Sequence, residues 1–95
     1  MFEHTQIYKI VKNKAFLEIQ SPSMDIVFEI DREIVPTISK SNWRLRGNGT
    51  ALSRENVPLT HEIYKFWNGY KPRRIGHKNG NTRDCRIQNL YAILS

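Results

Sequence analysis

Ninety-five residues suffice for one compact domain and not for two, because a chain this short gathers a single core. The chain is 39% hydrophobic, with two Trp, four Tyr and four Phe to fill that core, and its formal charge of +6 points to anionic partners. The lone cysteine, Cys85, excludes an intramolecular disulfide and a thiolate zinc cluster. No apolar run is long enough to span a bilayer, and no signal-peptide core follows Met1. A reducing, cytoplasmic location is therefore expected.

The predicted elements begin with Ile7–Val11 and Ala15–Ile19, two β-rich runs flanking a Lys12-Asn13-Lys14 turn, which predict a hairpin. Ser21-Pro22-Ser23 breaks the chain, and Asp25–Ile30 predicts a third strand. Asp31 has the chemistry of an N-cap for a short helix reaching Ile38, which Pro36 keeps short or irregular. Trp43-Arg44-Leu45 alternates again, and Gly47-Asn48-Gly49 turns it into residues 50–53 as a second hairpin. Pro58 and Thr60 open a helix, with Thr60 as candidate cap, that Gly69 and Pro72 close. Its residues Ile63, Phe66 and Trp67 share one face at i, i+3 and i+4, the spacing of core packing. Ile75-Gly76-His77 predicts a short strand and Asn79-Gly80 a tight turn. Asp84 is then placed to cap a final helix carrying Ile87, Leu90 and Tyr91. The whole is an α+β fold in one domain, residues 1–95: a β-rich leader over 1–56, then a helix and the last motif over 57–95.

Charge concentrates in the second half. Residues 1–50 carry seven Lys/Arg against six Asp/Glu, whereas residues 51–95 carry eight against three. Lys65, Lys71, Arg73, Arg74, Lys78, Arg83 and Arg86 fall close together, interleaved with Tyr64, Trp67 and Tyr70, as on a phosphate-contacting face. A merely solvated basic face has the same composition. A membrane-surface role fits less well, since these cations lie in turn-rich sequence and not along one amphipathic helix.

The segment from Arg74 to Leu90 holds the candidate chemistry. A strand delivers His77, a tight turn reverses the chain, and the expected helix brings Asn89 back toward it, among Arg and Lys. Phosphodiester hydrolysis needs a base for water, a hard cation for the phosphate oxygens and cationic side chains for the backbone. The segment resembles the HNH motif of the ββα-metal nucleases, in particular small phage and homing-type HNH endonucleases. The resemblance rests on His77, the Asn79-Gly80-Asn81 turn, Asp84, Arg86, Asn89 and Leu90. It extends upstream through Pro58-Leu59-Thr60-His61, the Trp43 strand and Ile30-Asp31. Gly76 stands where the best-studied members have a metal-binding Asp, and Cys85 stands at the motif's central Asn.

The resemblance implies a C-terminal ββα-metal hairpin and a metal-dependent DNA endonuclease or nickase, or a catalytically weakened relative that binds DNA. It implies His77 as general base, Asn89 at the last metal-ligand position, and His61 near the site as a further ligand or phosphate contact. One divalent ion is implied, Mg²⁺ or Mn²⁺ with Zn²⁺ as the other candidate, and the implied partner is double-stranded DNA. For a phage-encoded protein the compartment is the bacterial host's cytoplasm. Each residue also has a plain structural reading: His77 in a turn, Asn89 satisfying a backbone group, His61 at a helix start, Cys85 as a small buried residue. A second class of function keeps the fold without the chemistry, using the basic surface to bind and inhibit a host protein or nucleoprotein complex. A third reads RNA by stacking on exposed aromatics, and needs Trp67, Tyr70 or Tyr91 to face solvent.

Overall fold

The computed structural model describes residues 4–94. Strands β1 (Thr5–Val11), β2 (Lys14–Gln20) and β3 (Asp25–Ile30) form an antiparallel sheet in that spatial order. Lys12 and Asn13 both adopt left-handed backbone, φ 49° and 69°, giving a two-residue turn whose twist matches the strands it joins. Alternation then sorts the side chains: Ala15, Leu17 and Ile19 pair with Ile30, Phe28 and Ile26 across β2 and β3, and all six are buried. This face meets Ile34, Ile38, Trp43, Ala51, Leu59, Ile63, Cys85 and Leu90 in one core.

After β3 the chain makes a 3₁₀ turn (Arg32–Ile34) and one α-helical turn, α1 (Val35–Ile38), with Pro36 in its first positions, where a missing N–H leaves no bond unmade. Asp31 takes the N-cap position of the 3₁₀ turn, but its side chain makes no cap bond there. Its carboxylate instead accepts the Ile87 backbone N–H at 2.8 Å, tying the sheet to the C-terminal motif. Trp43 is sealed into the core, its indole N–H donating to the Ile38 carbonyl at 2.9 Å. A short hairpin follows, β4 (Arg44–Leu45) with β5 (Ala51–Leu52), then helix α2 (Leu59–Asn68) and a second short hairpin, β6 (Ile75–His77) with β7 (Leu90–Ala92). The α+β class is thus present, with helices and antiparallel sheets in the same small body. Among the described residues no helix is long and apolar enough to cross a membrane.

Three expectations are corrected. Residues 84–91 do not form a helix: they run through a loop, a 3₁₀ turn (Ile87–Asn89) and the start of β7. The apolar spacing of Ile87, Leu90 and Tyr91 fits a helix, but the Asp84 and Asn89 side chains bond nearby backbone and offer the chain another conformation. Thr60 lies inside the first turn of α2, where its hydroxyl meets His61 Nδ1, and Pro58 holds the cap position. Of the aromatic stripe on α2, only Ile63 is buried; Phe66 is 45% and Trp67 41% exposed. The stripe is real, but its C-terminal turn runs past the elements that cover Leu59 and Ile63.

Candidate functional site

The β6–β7 hairpin is joined by a twelve-residue loop from Lys78 to Asn89, long enough to need its own internal order. Polar side chains supply that order. Asn89, buried beside β7, accepts the Asn79 backbone N–H at 3.0 Å, and its amide group donates to Asn79 Oδ1 at 3.0 Å and to the Asp84 carbonyl at 2.9 Å. Asn79 in turn donates to the Asp84 carboxylate at 3.0 Å and accepts the Asn81 N–H at 2.8 Å. Arg86 closes the lattice with a bidentate fork on Asp84, Nε to Oδ1 at 2.8 Å and Nη2 to Oδ2 at 2.6 Å. This arginine holds the Asp84 carboxyl down at about 2, and the carboxylate in turn keeps the guanidinium firmly charged.

The loop is also docked on the main sheet. Glu29 N–H donates to the Arg83 carbonyl and Cys85 N–H to the Glu29 carbonyl, both at 2.8 Å, so residues 83–85 extend the outer edge of β3 in parallel. Cys85 is buried within this joint, and burial, reinforced by the neighbouring Asp84 charge, pushes its thiol up to about 12. It fills core space and donates weakly to the Thr82 carbonyl at 3.7 Å.

His77 ends β6 with its ring Nδ1 3.2 Å from the Asp84 carbonyl oxygen. A carbonyl only accepts, so Nδ1 carries the hydrogen, and in the neutral ring Nε2 is left as a lone pair. Nε2 has no hydrogen-bond partner among the described residues, and the ring lines a cleft of about 410 Å³. His61 from α2 lines the same cleft, together with Thr82, Cys85 and the Asn48–Ala51 turn. Its Nε2 lies 3.3 Å from the Arg73 carbonyl and its Nδ1 3.3 Å from the Thr60 hydroxyl, so both ring nitrogens are engaged. Two histidines sixteen residues apart thus meet in one cleft, with the imidazole of His77 held as a base requires.

The other expected members fall elsewhere. His77 and Asn89 do converge, but on the Asp84 carbonyl and not on a point open to solvent. Asn89 does not line the cleft and its amide braces the loop. At position 76 the space beside the backbone is filled by the ring of Tyr91, its cross-strand partner: a Cβ there would lie 2.4 Å from Tyr91 Cζ. A hard cation needs several oxygen ligands at open positions, and a glycine under a tyrosine ring plus a buried, engaged amide do not fit one. Arg86 is likewise drawn inward, onto Asp84 and, at 3.7 Å, onto Glu29, where a phosphate contact was expected. By contrast Lys71, Arg73, Arg74, Lys78 and Arg83 are exposed, and none has a carboxylate partner among the described residues.

Sequence reasoning missed two features, the bracing role of Asp84 and the exposed aromatics of α2. The Asn/Asp density of residues 79–89 was the available sign of the first, since these residues bond local backbone. Nothing in the spacing of Phe66 and Trp67 signalled the second. No protein-family model, curated protein or solved structure matches the chain.

Proposed function

We propose that the chain binds double-stranded DNA through an HNH-like hairpin, β6 to β7, as a catalytically weakened relative of the HNH endonucleases. One observation carries this reading: five exposed cations without carboxylate partners among the described residues, Lys71, Arg73, Arg74, Lys78 and Arg83, lie on the segment that carries His77. Cations left free of internal partners are available to phosphates, and each phosphate neutralised releases condensed counterions from the duplex. Five such contacts give a salt slope of about −4.5, a loss of roughly 500-fold in affinity between about 50 and 200 mM salt. The weakened chemistry is supported by Tyr91 over Gly76 and by the engaged amide of Asn89, which leave a divalent ion without its oxygen ligands.

A second reading, in which hydrolysis survives, is favoured by His77. The residue lines the cleft, and its Nδ1 bond to the Asp84 carbonyl leaves Nε2 as the lone pair that would take a proton from water. One experiment separates the two: supercoiled plasmid with wild type and His77→Ala, in Mg²⁺, Mn²⁺ or Zn²⁺, followed by gel shift and by nicking. The proposal expects both proteins to shift DNA and the wild type to nick no faster than the variant. Nicking that His77→Ala abolishes establishes the second reading. No binding even at low salt contradicts both and turns attention to a host-protein partner.

A further inference from the structure

The C-terminal turn of α2 and Tyr70 after it present aromatic rings that the hairpin reading does not use, beside Lys71 and Arg73, which it does. We propose that Phe66, Trp67 and Tyr70, flanked by Lys65, Lys71 and Arg73, bind single-stranded nucleic acid by stacking its unpaired bases. This rests on the DNA-binding reading for its setting and adds the form of strand this second face takes.

The rings are open and oriented. Phe66, Trp67 and Tyr70 are 45%, 41% and 53% exposed. Phe66 and Trp67 meet edge to face, centroids 5.2 Å apart at 87°, and Tyr64 and Tyr70 do the same at 5.7 Å and 82°. Gly69 makes the second pair: at φ 84° it caps α2, its N–H donating to the Lys65 carbonyl at 2.8 Å, and turns Tyr70 back toward Tyr64. An edge-to-face pair covers one face of one ring only and fixes the orientation of both, so less rotamer freedom is lost when a base stacks on a remaining face.

Charge selects the occupant. Residues 65–74 contain four cations and no acid, and none of these cations has an ion-pair partner among the described residues. A polyanion complements them, and aromatic faces add binding only for a polyanion that offers π-faces of its own. Duplex DNA keeps its bases stacked inside, so it can use the cations and not the rings. An unpaired strand uses both. The segment is also tied to the histidine cleft, since the Arg73 carbonyl is the partner of His61 Nε2 and the Arg74 carbonyl accepts the Ile93 N–H at 2.9 Å. A strand held on the rings therefore lies on chain continuous with the hairpin.

The chain reports on this by itself. Of its two tryptophans Trp43 is 2% exposed and Trp67 41%, so a bound base quenches chiefly Trp67 emission. Titration of the full chain with oligo-dT, with a duplex of equal length and with polyglutamate tests the proposal. Oligo-dT is expected to quench the emission and the other two are not. In the Phe66→Leu/Trp67→Leu variant, which lacks that reporter, affinities are read from the anisotropy of a dye-labelled strand or duplex: single-strand affinity is expected to fall at least tenfold from wild type while duplex affinity stays within about twofold. Circular dichroism matching the wild type shows that the variant is folded. Equal quenching by polyglutamate, or single-strand affinity unchanged in the folded variant, overturns the proposal. Single-strand binding with no duplex binding upholds it and removes the duplex reading instead.

Discussion

In the sheet of residues 5–30, order comes from apolar side chains: Leu17 opposes Phe28 and Ile19 opposes Ile26, all sealed from water. Between His77 and Leu90 it comes from amides and a carboxylate, with Asn79, Asp84 and Asn89 bonding one another and the backbone they enclose. Apolar packing is non-directional, and it tolerates any group of the right volume. A hydrogen-bonded lattice is directional, and exchanging a donor for an acceptor breaks it even when no volume changes. The two regions should therefore fail under opposite kinds of substitution, and that difference decides what Asn89 does.

The largest expected effect is in the sheet. Leu17→Ala should lower unfolding stability by about 4 kcal/mol through loss of burial and the cavity left behind, whereas Leu17→Met should cost about 1 kcal/mol, both read by urea denaturation. If both substitutions cost the same, the sheet is not held by shape-tolerant packing. Next comes Asn89→Asp, which keeps the shape and removes two donors that now point at Asn79 Oδ1 and the Asp84 carbonyl. A loss of about 3 kcal/mol is expected. A metal ligand would give the reverse, since a carboxylate improves a hard-cation site, and tighter Mg²⁺ binding by a stable Asn89→Asp protein contradicts the bracing role.

Acid should open the loop before the sheet. The Asp84 carboxyl lies at about 2 instead of 3.8, chiefly through the Arg86 fork. A depressed folded value means its stabilisation is complete above the unfolded value and is lost as pH falls through about 4 and on to 2. Amide exchange at Asn79, Asn81 and Arg83 should accelerate across that window ahead of β2. Simultaneous loss would show that the lattice does not act as a separate unit. The smallest effect is expected at Gly76→Ala, about 1 kcal/mol, because the Tyr91 ring it meets is 43% exposed and can rotate outward. Tyr91→Ala in the same chain should remove that cost, and a cost unchanged in the double variant would show that the ring is not what excludes a side chain there.

The sheet was legible in the sequence because alternation with period two states directly which residues face the core, and Ala15, Leu17, Ile19, Ile26, Phe28 and Ile30 follow it. The Gly69 stop of α2 and the left-handed Gly80 of the loop were equally plain, each a residue type matched to its conformation. Phe66 and Trp67 were not, because helical spacing says which residues share a face and not where the covering elements end. Asp31 and Asp84 were read as helix caps from local chemistry. Asp31 reaches Ile87, fifty-six residues on, and Asp84 answers to Arg86 and Asn79, partners no local rule supplies. At the candidate site, the place of His77 at the end of a short strand and the exposed cations around it were legible in the sequence. The engagement of Asn89, Arg86 and the space at Gly76 required knowing what else was near.

The central claim is that the hairpin meets DNA through cations free of internal partners. Its most direct test is the salt dependence of duplex binding, compared between wild type and Lys78→Ala/Arg83→Ala. The account predicts that the slope of log affinity against log salt falls in magnitude by about 2 in the double variant, with the fold intact. An unchanged slope, or wild-type binding that does not respond to salt, contradicts it.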